Sequence, residues 1–382
     1  MARLQLFAYP WDLADEGVEQ TVARIRSWGF ESIAVAVNYH TAKLLLPHNP
    51  KRKVVFPEAG RFYLPLETAR YGDERIVPLN SEWSRENGDF WRRLRHACDA
   101  EGLSVTAWMI GFHNTTLGYR HPELVCRNAF GDPYYFCLCP SAEAARRYVV
   151  GTTAEIASRS VIDSLFLESY HFMDFEHGYH HEMTGAFLSE TSKRLLSYCF
   201  CDACMSGGAA FGADMERARA AVAAALEAEF AGDVPPPAAE LDEAIGPLAA
   251  YRKSVIASLM REIRRAVSKP IALFTKPPAG CEDNGVDPGQ LASCADWIET
   301  YCYEPGIGRI SAVIEAFSGV VERSKLRLAL RAGYPDVASP DELAARLRHA
   351  QSLDLAGVSL YNYGQVPLAH WSCLSSIRNQ GA

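Results

Sequence analysis

The sequence lacks any apolar run of the roughly 20 residues that a helix needs to cross a bilayer. Its amino terminus, MARLQLFAYPWD, also lacks a basic stretch followed by a long apolar region, which is the pattern of a secretion signal. We therefore expect a cytoplasmic protein that has no membrane partner.

Basic charge is also scarce. The chain has 38 Lys and Arg residues against 46 Asp and Glu residues, which gives a formal net charge of −8. Proteins that bind nucleic acids normally present a basic face to the phosphate backbone. The short basic run at 92–96 is typical of a solvated helix face, so we expect no nucleic-acid partner.

Two further patterns are missing. The segment after the first apolar run, AYPWDLADEG, is not the G-x-G-x-x-G fingerprint of a dinucleotide-binding sheet. The eleven cysteines are an odd number in a chain of 382 residues, whereas disulfide frameworks are typical of small secreted domains. We therefore expect no organic cofactor and interpret any cysteine cluster as metal-binding.

The chain does contain eight short apolar runs, which alternate with stretches of helical periodicity. The runs lie at residues 4–9, 32–40, 104–114, 164–172, 270–277, 296–305, 326–335 and 357–364. The alternation indicates parallel βα units, and near-continuous apolar strands are typical of a sheet covered on both faces. The sequence predicts an α/β fold, a (β/α)₈ TIM barrel, with an open doubly wound sheet as the alternative.

The length fits one TIM-barrel catalytic domain, 1–382, whose loops carry insertions. Long segments follow the second, third and fourth runs, and we expect a helical insertion at about 185–248. Long loops in compact domains usually serve function. Because TIM barrels build their active sites at the carboxyl ends of the strands, the polar residues there are the candidates.

Glu168 is the first catalytic candidate, because it directly follows the apolar run SLFL. A carboxylate at the end of a buried strand costs several kcal/mol unless a partner or a function compensates for it. The structural alternative is an ion pair with Arg331 or Lys276 across the mouth of the barrel.

Glu299, on the sixth run, is the matching acid, although Asp296 and Glu304 lie close enough to share its role. Two carboxylates that face each other across an aromatic mouth fit glycoside cleavage. One of them protonates the leaving oxygen, and the other attacks or activates water.

Aromatic and polar residues near the strand ends are candidates for binding a carbohydrate, since rings stack on sugars and polar groups bind hydroxyls. These residues are Asn38, His40, Trp108, His113, Tyr170, His171, His177, His180, His181, Lys276, Tyr301, Arg331, Tyr361 and Asn362. The alternative for the rings is that they fill the barrel.

The segment HGYHHE at 177–182 concentrates three histidines and a glutamate. Such residues can bind a metal, but their spacing is not H-E-x-x-H. We favour recognition of sugar hydroxyls or acid/base support over a catalytic metal.

Cys199, Cys201 and Cys204 form a CxCxxC motif, and three thiols at this spacing can wrap one tetrahedral zinc ion that needs a fourth ligand. The candidates for that ligand are Cys126, Cys137 and Cys139, of which we favour Cys139. Coordination by four thiolates leaves no open coordination position on the metal, so the metal would hold loops together and not take part in catalysis. The alternative is a set of free buried cysteines.

The CFCDAC cluster resembles the cysteine zinc site of glycoside-hydrolase family 42 β-galactosidases, and residues 104–204 resemble uncharacterised bacterial glycoside-hydrolase-like barrels. The resemblance implies a barrel, a structural zinc and a sugar-derived substrate. Family 42 enzymes carry the acid in an Asn-Glu pair on strand four and the nucleophile on strand seven. Here Leu167 precedes Glu168 and the second acid is on strand six, which looks more like the α-galactosidase clan. That clan implies Glu168 as nucleophile and Glu299 as general acid.

The leading hypothesis is a glycosidase acting on a glycoside or a small glycoconjugate. One alternative is a metal-dependent sugar isomerase or lyase that binds its ion through the mouth histidines and glutamates: His113, Glu168, His177, His180, His181 and Glu299. Another is a sugar-binding barrel without catalysis. The partner is in each case a small carbohydrate, and homo-oligomerisation stays open.

Overall fold

The computed structural model describes residues 3–177 and 182–379. Eight parallel strands form a closed barrel, and each pairs with its neighbours around the ring. In chain order they are β1 (Arg3–Ala8), β2 (Ser32–Ala36), β3 (Ser104–Ile110), β4 (Ser164–Glu168), β5 (Ile271–Phe274), β6 (Trp297–Cys302), β7 (Leu326–Arg331) and β8 (Gly357–Tyr361). The predicted (β/α)₈ TIM barrel is confirmed.

The barrel strands are shorter than the apolar runs that predicted them. The third run extends to residue 114, but β3 ends at Ile110. Next comes Gly111, where an added Cβ would lie 2.9 Å from the backbone oxygen of Ser169. Ser169, which follows β4, has a φ of 60°, a value that extended strands do not adopt. The apolar composition therefore continues past the strands into the loops that form the mouth.

Helices cover the outside of the barrel and fill the long loops. They span Pro10–Glu16, Val18–Ser27, Glu82–Glu86, Phe90–Glu101, Thr115–Arg120, Glu143–Ser158, Glu190–Leu196, Asp202–Phe211, Met215–Ala231, Ala238–Ala266, Pro288–Leu291, Ile307–Glu315, Pro340–Gln351 and Leu368–Asn379. Within the described ranges, none of these helices is both long and apolar enough to cross a membrane.

The crossover between β1 and β2 contains two helices, which meet at Gly17, whose φ is 94°. Glycine adopts this conformation without the steric cost that a Cβ imposes. The second helix then buries Val18, Val22 and Ile25 on one face, as the 3.6-residue period requires.

The loops after β2, β3 and β4 carry the extra structure. Short paired strands lie at Leu44–Leu45 with Val54–Val55, and at Arg61–Phe62 with Leu79–Asn80. After β3, the antiparallel pair Val125–Arg127 and Pro133–Leu138 forms a hairpin, which we call the aromatic hairpin. After β4, several helices precede β5.

The amino-terminal half of the barrel holds a polar layer that includes Glu299. A cavity of about 260 Å³ is lined there by residues that begin strands, among them Ser32, Ser164 and Trp297. Arg327, the second residue of β7, also lines this cavity, and its Nε lies 3.3 Å from the Glu299 carboxylate. The Glu299 side chain has no exposed surface. Burial raises its pKa, although Arg327 opposes that shift.

The expectation that Glu299 ends a strand is therefore corrected. It is the third residue of β6, which continues to Cys302, and it faces a cation on the next strand. A buried charge is tolerated when an opposite charge compensates it.

We predict that Arg327→Met destabilises the fold by about 3 kcal/mol or more, because it leaves a buried carboxylate without its cation. The double variant with Glu299→Gln should lose less than the sum of the two single variants. Urea unfolding measures these differences. The exposed pair Arg85–Glu82 provides the control, since its disruption should cost at most about 1 kcal/mol. Additive losses from the two buried substitutions would contradict the pairing.

Candidate active site

Glu168 is the last residue of β4, and its half-buried side chain lies at the mouth of the barrel. The neighbouring strand β3 places Trp108 beside it, since Phe166 pairs with Trp108 and Glu168 with Ile110. The Trp108 indole Nε1 donates a hydrogen bond of 2.7 Å to Glu168 Oε2. Neither Arg331 nor Lys276 forms an ion pair with Glu168, because these cations pair with Asp336 and Asp174.

The protein around Glu168 changes its protonation. Burial raises the pKa of Glu168 to about 7, and the hydrogen bond from Trp108 opposes this shift. Burial acts in this direction because it disfavours the charged form. Near neutral pH the carboxyl group therefore holds a proton much of the time and can still release it.

A network of tyrosine hydroxyls lies beside Glu168. The hydroxyl of Tyr361, the last residue of β8, is 2.9 Å from that of Tyr9 and 3.2 Å from that of Tyr39. Burial raises the pKa of all three tyrosines, and Glu168 adds to the shifts of Tyr39 and Tyr361. The hydroxyls therefore stay protonated and can donate hydrogen bonds at the mouth.

The sequence candidates omit Tyr9, Tyr39 and Tyr303. Tyr9 and Tyr39 follow β1 and β2, and Tyr303 follows β6. The rule that selected the other candidates also applies to these three, because residues that close a barrel strand face the mouth.

Three histidines form a second group at the mouth, on the loops after β2, β3 and β4. The rings of His40 and His113 stack at 4.3 Å, and His177 Nε2 lies 3.0 Å from His113 Nδ1. Burial lowers the pKa of His113 well below its usual range and that of His177 to about 4. Both are neutral at pH 7 and act as hydrogen-bonding groups.

The loops after β4 and β5 bring further candidates together. Lys276 forms an ion pair with Asp174, which the sequence analysis did not select. His171 lies nearby, with its Nδ1 2.8 Å from the Phe172 backbone oxygen, and burial lowers its pKa. Tyr301 is half-buried with its ring 5.0 Å from that of Tyr303.

On the opposite side of the mouth, Arg331, Tyr361 and Asn362 line a cavity of about 410 Å³. Arg331 Nη1 donates a hydrogen bond of 2.8 Å to Asp336, and its guanidinium lies over the ring of Tyr303. The Asn362 side chain accepts a hydrogen bond from the backbone of Gly364, so it also shapes the turn after β8.

Two candidates form structural contacts instead. Both polar atoms of the buried Asn38 side chain bond to the backbone of Ile110, which joins the ends of β2 and β3. The buried Tyr170 hydroxyl is 2.8 Å from that of Thr153 on a surrounding helix.

Glu299 lies in the amino-terminal half of the barrel, so the structure does not bring it beside Glu168. His180 and His181 lie outside the described residues.

The cysteine cluster lies beside the mouth and is fully buried. The Sγ atoms of Cys139, Cys199, Cys201 and Cys204 all lie within 4.8 Å of one another. Cys139 Sγ is 3.5 Å from those of Cys201 and Cys204 and 3.9 Å from that of Cys199. A tetrahedral ion with bonds of ~2.3 Å separates its thiolates by a similar distance, so these four residues could hold a metal.

Among the candidates for the fourth ligand, Cys139 lies in this group with the three thiols of the motif, and Cys126 also contacts Cys139 and Cys199. The Sγ atoms of the two others, Cys126 and Cys137, lie 3.4 Å from each other within the aromatic hairpin. In the described part of the chain, the four-cysteine group is the one whose side chains converge closely enough for a metal. The histidines at the mouth do not form such a group there.

The barrel is similar to solved structures of enzymes that act on sugars. A β-galactosidase from the psychrophilic Marinomonas ef1 matches 99% of this chain with a TM-score of 0.58 at 10% identity. The α-L-fucosidase isoenzyme 2 from Paenibacillus thiaminolyticus matches 100% with a TM-score of 0.55 at 13% identity. A chitinase from Rhizomucor miehei matches 98%, and 100% of its own chain, with a TM-score of 0.50 at 10% identity.

The chain spans 59% of the length of the β-galactosidase and 49% of that of the fucosidase. No protein-family model matches the sequence, and no curated protein matches it. At these identities the similarity shows the barrel fold and does not select one glycoside-hydrolase family.

Proposed function

We propose that the protein is a glycoside hydrolase and that Glu168 is its general acid. The observation that carries this proposal is a partly accessible carboxyl group at the end of β4 whose pKa is raised to about 7. Efficient general acids have a pKa near the working pH. The sugar-hydrolysing names of the similar structures support the same reaction class.

The raised pKa favours Glu168 as the acid over the nucleophile that the resemblance implied. As the glycosidic bond breaks, the Glu168 carboxyl transfers its proton to the leaving oxygen, and the carboxylate that forms accepts the Trp108 hydrogen bond. The hydroxyl of the partly exposed Tyr361, which those of Tyr9 and Tyr39 hold in place, binds and orients the sugar.

Asp174 is our candidate for the second carboxylate. Its side chain lies in the loop after β4, is 20% exposed and forms an ion pair with Lys276. Because its side chain is partly exposed, water can reach the Asp174 carboxylate, which is suited to activate the attacking water. Glu299, buried against Arg327, has a structural role in this proposal.

We further propose that the four-cysteine group binds one structural zinc ion. The four thiolates suit zinc chemically, and such a closed site holds segments of the chain together without taking part in catalysis. Here it would join the aromatic hairpin, through Cys139, to the segment after β4.

For Glu168→Gln we expect turnover to fall by about 10²- to 10⁴-fold, the usual contribution of a general acid. Hydrolysis of a panel of 4-nitrophenyl and methyl glycosides measures the change, with circular dichroism to verify folding. Asp174→Asn should also lower turnover. Glu299→Gln is the matched control, since the folded fraction should keep most of its activity. Unchanged turnover in Glu168→Gln, or sugar binding without any product in the wild type, would contradict the proposal.

The activity should depend on pH through Glu168. Because the acid must hold its proton, kcat/KM should fall as the pH rises above about 7. Trp108→Phe removes a hydrogen bond that favours the carboxylate, so the pKa should rise and the fall in kcat/KM should move to higher pH. Infrared difference spectra between the wild type and Glu168→Gln measure this pKa directly. A carboxyl group that titrates near pH 4 in the wild type would refute this assignment.

Metal analysis by plasma mass spectrometry should find one zinc ion per chain. Cys201→Ser should lose most of the bound zinc, because it removes one of four thiolate ligands. Cys98→Ser, at a buried cysteine outside the cluster, is the control and should retain the metal. Zinc-free wild-type protein, or full zinc content in Cys201→Ser, would disprove the site.

A further inference from the structure

We propose that the groove beside the mouth is an aglycone subsite, which binds neutral sugar units on the leaving-group side of the bond that is cleaved. We define this aromatic groove by Tyr119, Tyr134, Tyr135, Phe136 and Phe175. The inference rests on the proposed function for the position of the cleaved bond. It implies that the substrate is an oligosaccharide and not a simple glycoside.

The groove has the size and composition of a ligand site. Its volume is about 850 Å³, within the ~300–1,000 Å³ of typical small-molecule pockets. Aromatic rings dominate one wall, and a polar rim includes Glu182 and Thr184. Concave sites with an apolar wall and a few polar groups are typical of ligand binding.

The rings present flat faces in two stacked pairs. Tyr119 stacks on Tyr135 at 4.5 Å with an interplanar angle of 13°, and Tyr134 stacks on Phe136 at 5.8 Å and 14°. The rings of Tyr134, Tyr135 and Phe136 are half-buried, although they belong to a paired strand. The ring of Tyr119 is exposed. Flat apolar rings bordered by polar groups match a pyranose, which has an apolar C–H face and hydroxyls at its edge.

The groove adjoins the histidine group of the mouth, because His177 lines the groove and lies 3.0 Å from His113. The Phe136 ring lies 6.1 Å from that of His113, which stacks on His40 at 4.3 Å. His40 in turn stacks on Tyr39 at 4.2 Å, and Tyr39 lies 5.1 Å from Trp108, the hydrogen-bond donor to Glu168. Although most of these rings are buried, their contacts place the groove beside the mouth that holds Glu168.

The fold holds the ring-bearing strand in place. The backbone N–H of Asn114 donates to the oxygen of Phe136, and that of Leu138 donates to the oxygen of Phe112, both at 2.9 Å. The Tyr134 hydroxyl donates a 2.9 Å hydrogen bond to the Leu196 oxygen. The rings are thus preorganised, which lowers the entropic cost of binding.

The described lining of the groove holds one cation, Lys193, against two carboxylates, Glu176 and Glu182, so it does not favour an acidic sugar. Lys193 lies 2.9 Å from Glu176, so these two charges compensate each other. His177, which also lines the groove, has a pKa lowered to about 4 and carries no charge at neutral pH. We therefore assign uncharged sugar units to this subsite.

The test measures binding to Glu168→Gln by calorimetry. The probes are the monomers to tetramers of β-linked glucose, galactose, xylose and N-acetylglucosamine. We expect affinity to rise with chain length for at least one series. The double variant Tyr119→Ala/Tyr135→Ala should abolish this gain, with a loss of about tenfold or more, as expected when a pocket loses apolar contacts. Tyr135→Phe keeps the ring and should keep the gain.

Phe230→Ala is the matched control, because it removes an exposed ring on the Met215–Ala231 helix, outside the groove. The inference fails if no oligomer binds more tightly than its monomer, or if the gain persists in the double variant. Turnover separates it from the proposed function. Length-dependent binding that needs the rings, combined with no hydrolysis by the wild type, would support a sugar site in the groove but contradict the hydrolase and the aglycone role.

Discussion

The placement of one carboxyl group at the end of a buried strand, among aromatic rings, is the constraint on which the rest of this site depends. Glu168 is close enough to Trp108 to accept its indole hydrogen bond and is buried enough for its pKa to rise to about 7. Barrel closure produces both effects, because it surrounds the end of β4 with residues from other strands. Within the same mouth, the neighbouring hydroxyls of Tyr361 and Tyr39 hydrogen-bond to each other.

Two glutamates on this barrel differ in their environment. Glu168 has a hydrogen-bond donor but no cation beside it, and its side chain stays partly accessible. Glu299 faces Arg327 and has no accessible surface. Both follow apolar residues in the sequence, and burial raises both pKa values. The cation and the inaccessibility give Glu299 the properties of a structural pair.

The aromatic hairpin connects the cysteine group to the mouth. Its second strand, Pro133–Leu138, carries the rings of the groove and leads directly to Cys139. The backbone of the same strand bonds to Phe112 and Asn114, which follow β3. A metal at the cysteines would therefore stabilise the wall of the groove, since it would fix one end of the strand that carries the rings.

The sequence by itself determined the barrel, the position of Glu168 at a strand end and the CxCxxC motif, because apolar periodicity and ligand spacing are local properties. It could not determine where each strand stops, that Arg327 would face Glu299, or that Cys139 rather than Cys126 or Cys137 completes the group. It also missed the contact of Tyr9 with Tyr361. These contacts join residues far apart in the chain, so only closure of the barrel and the packing of its loops decided them.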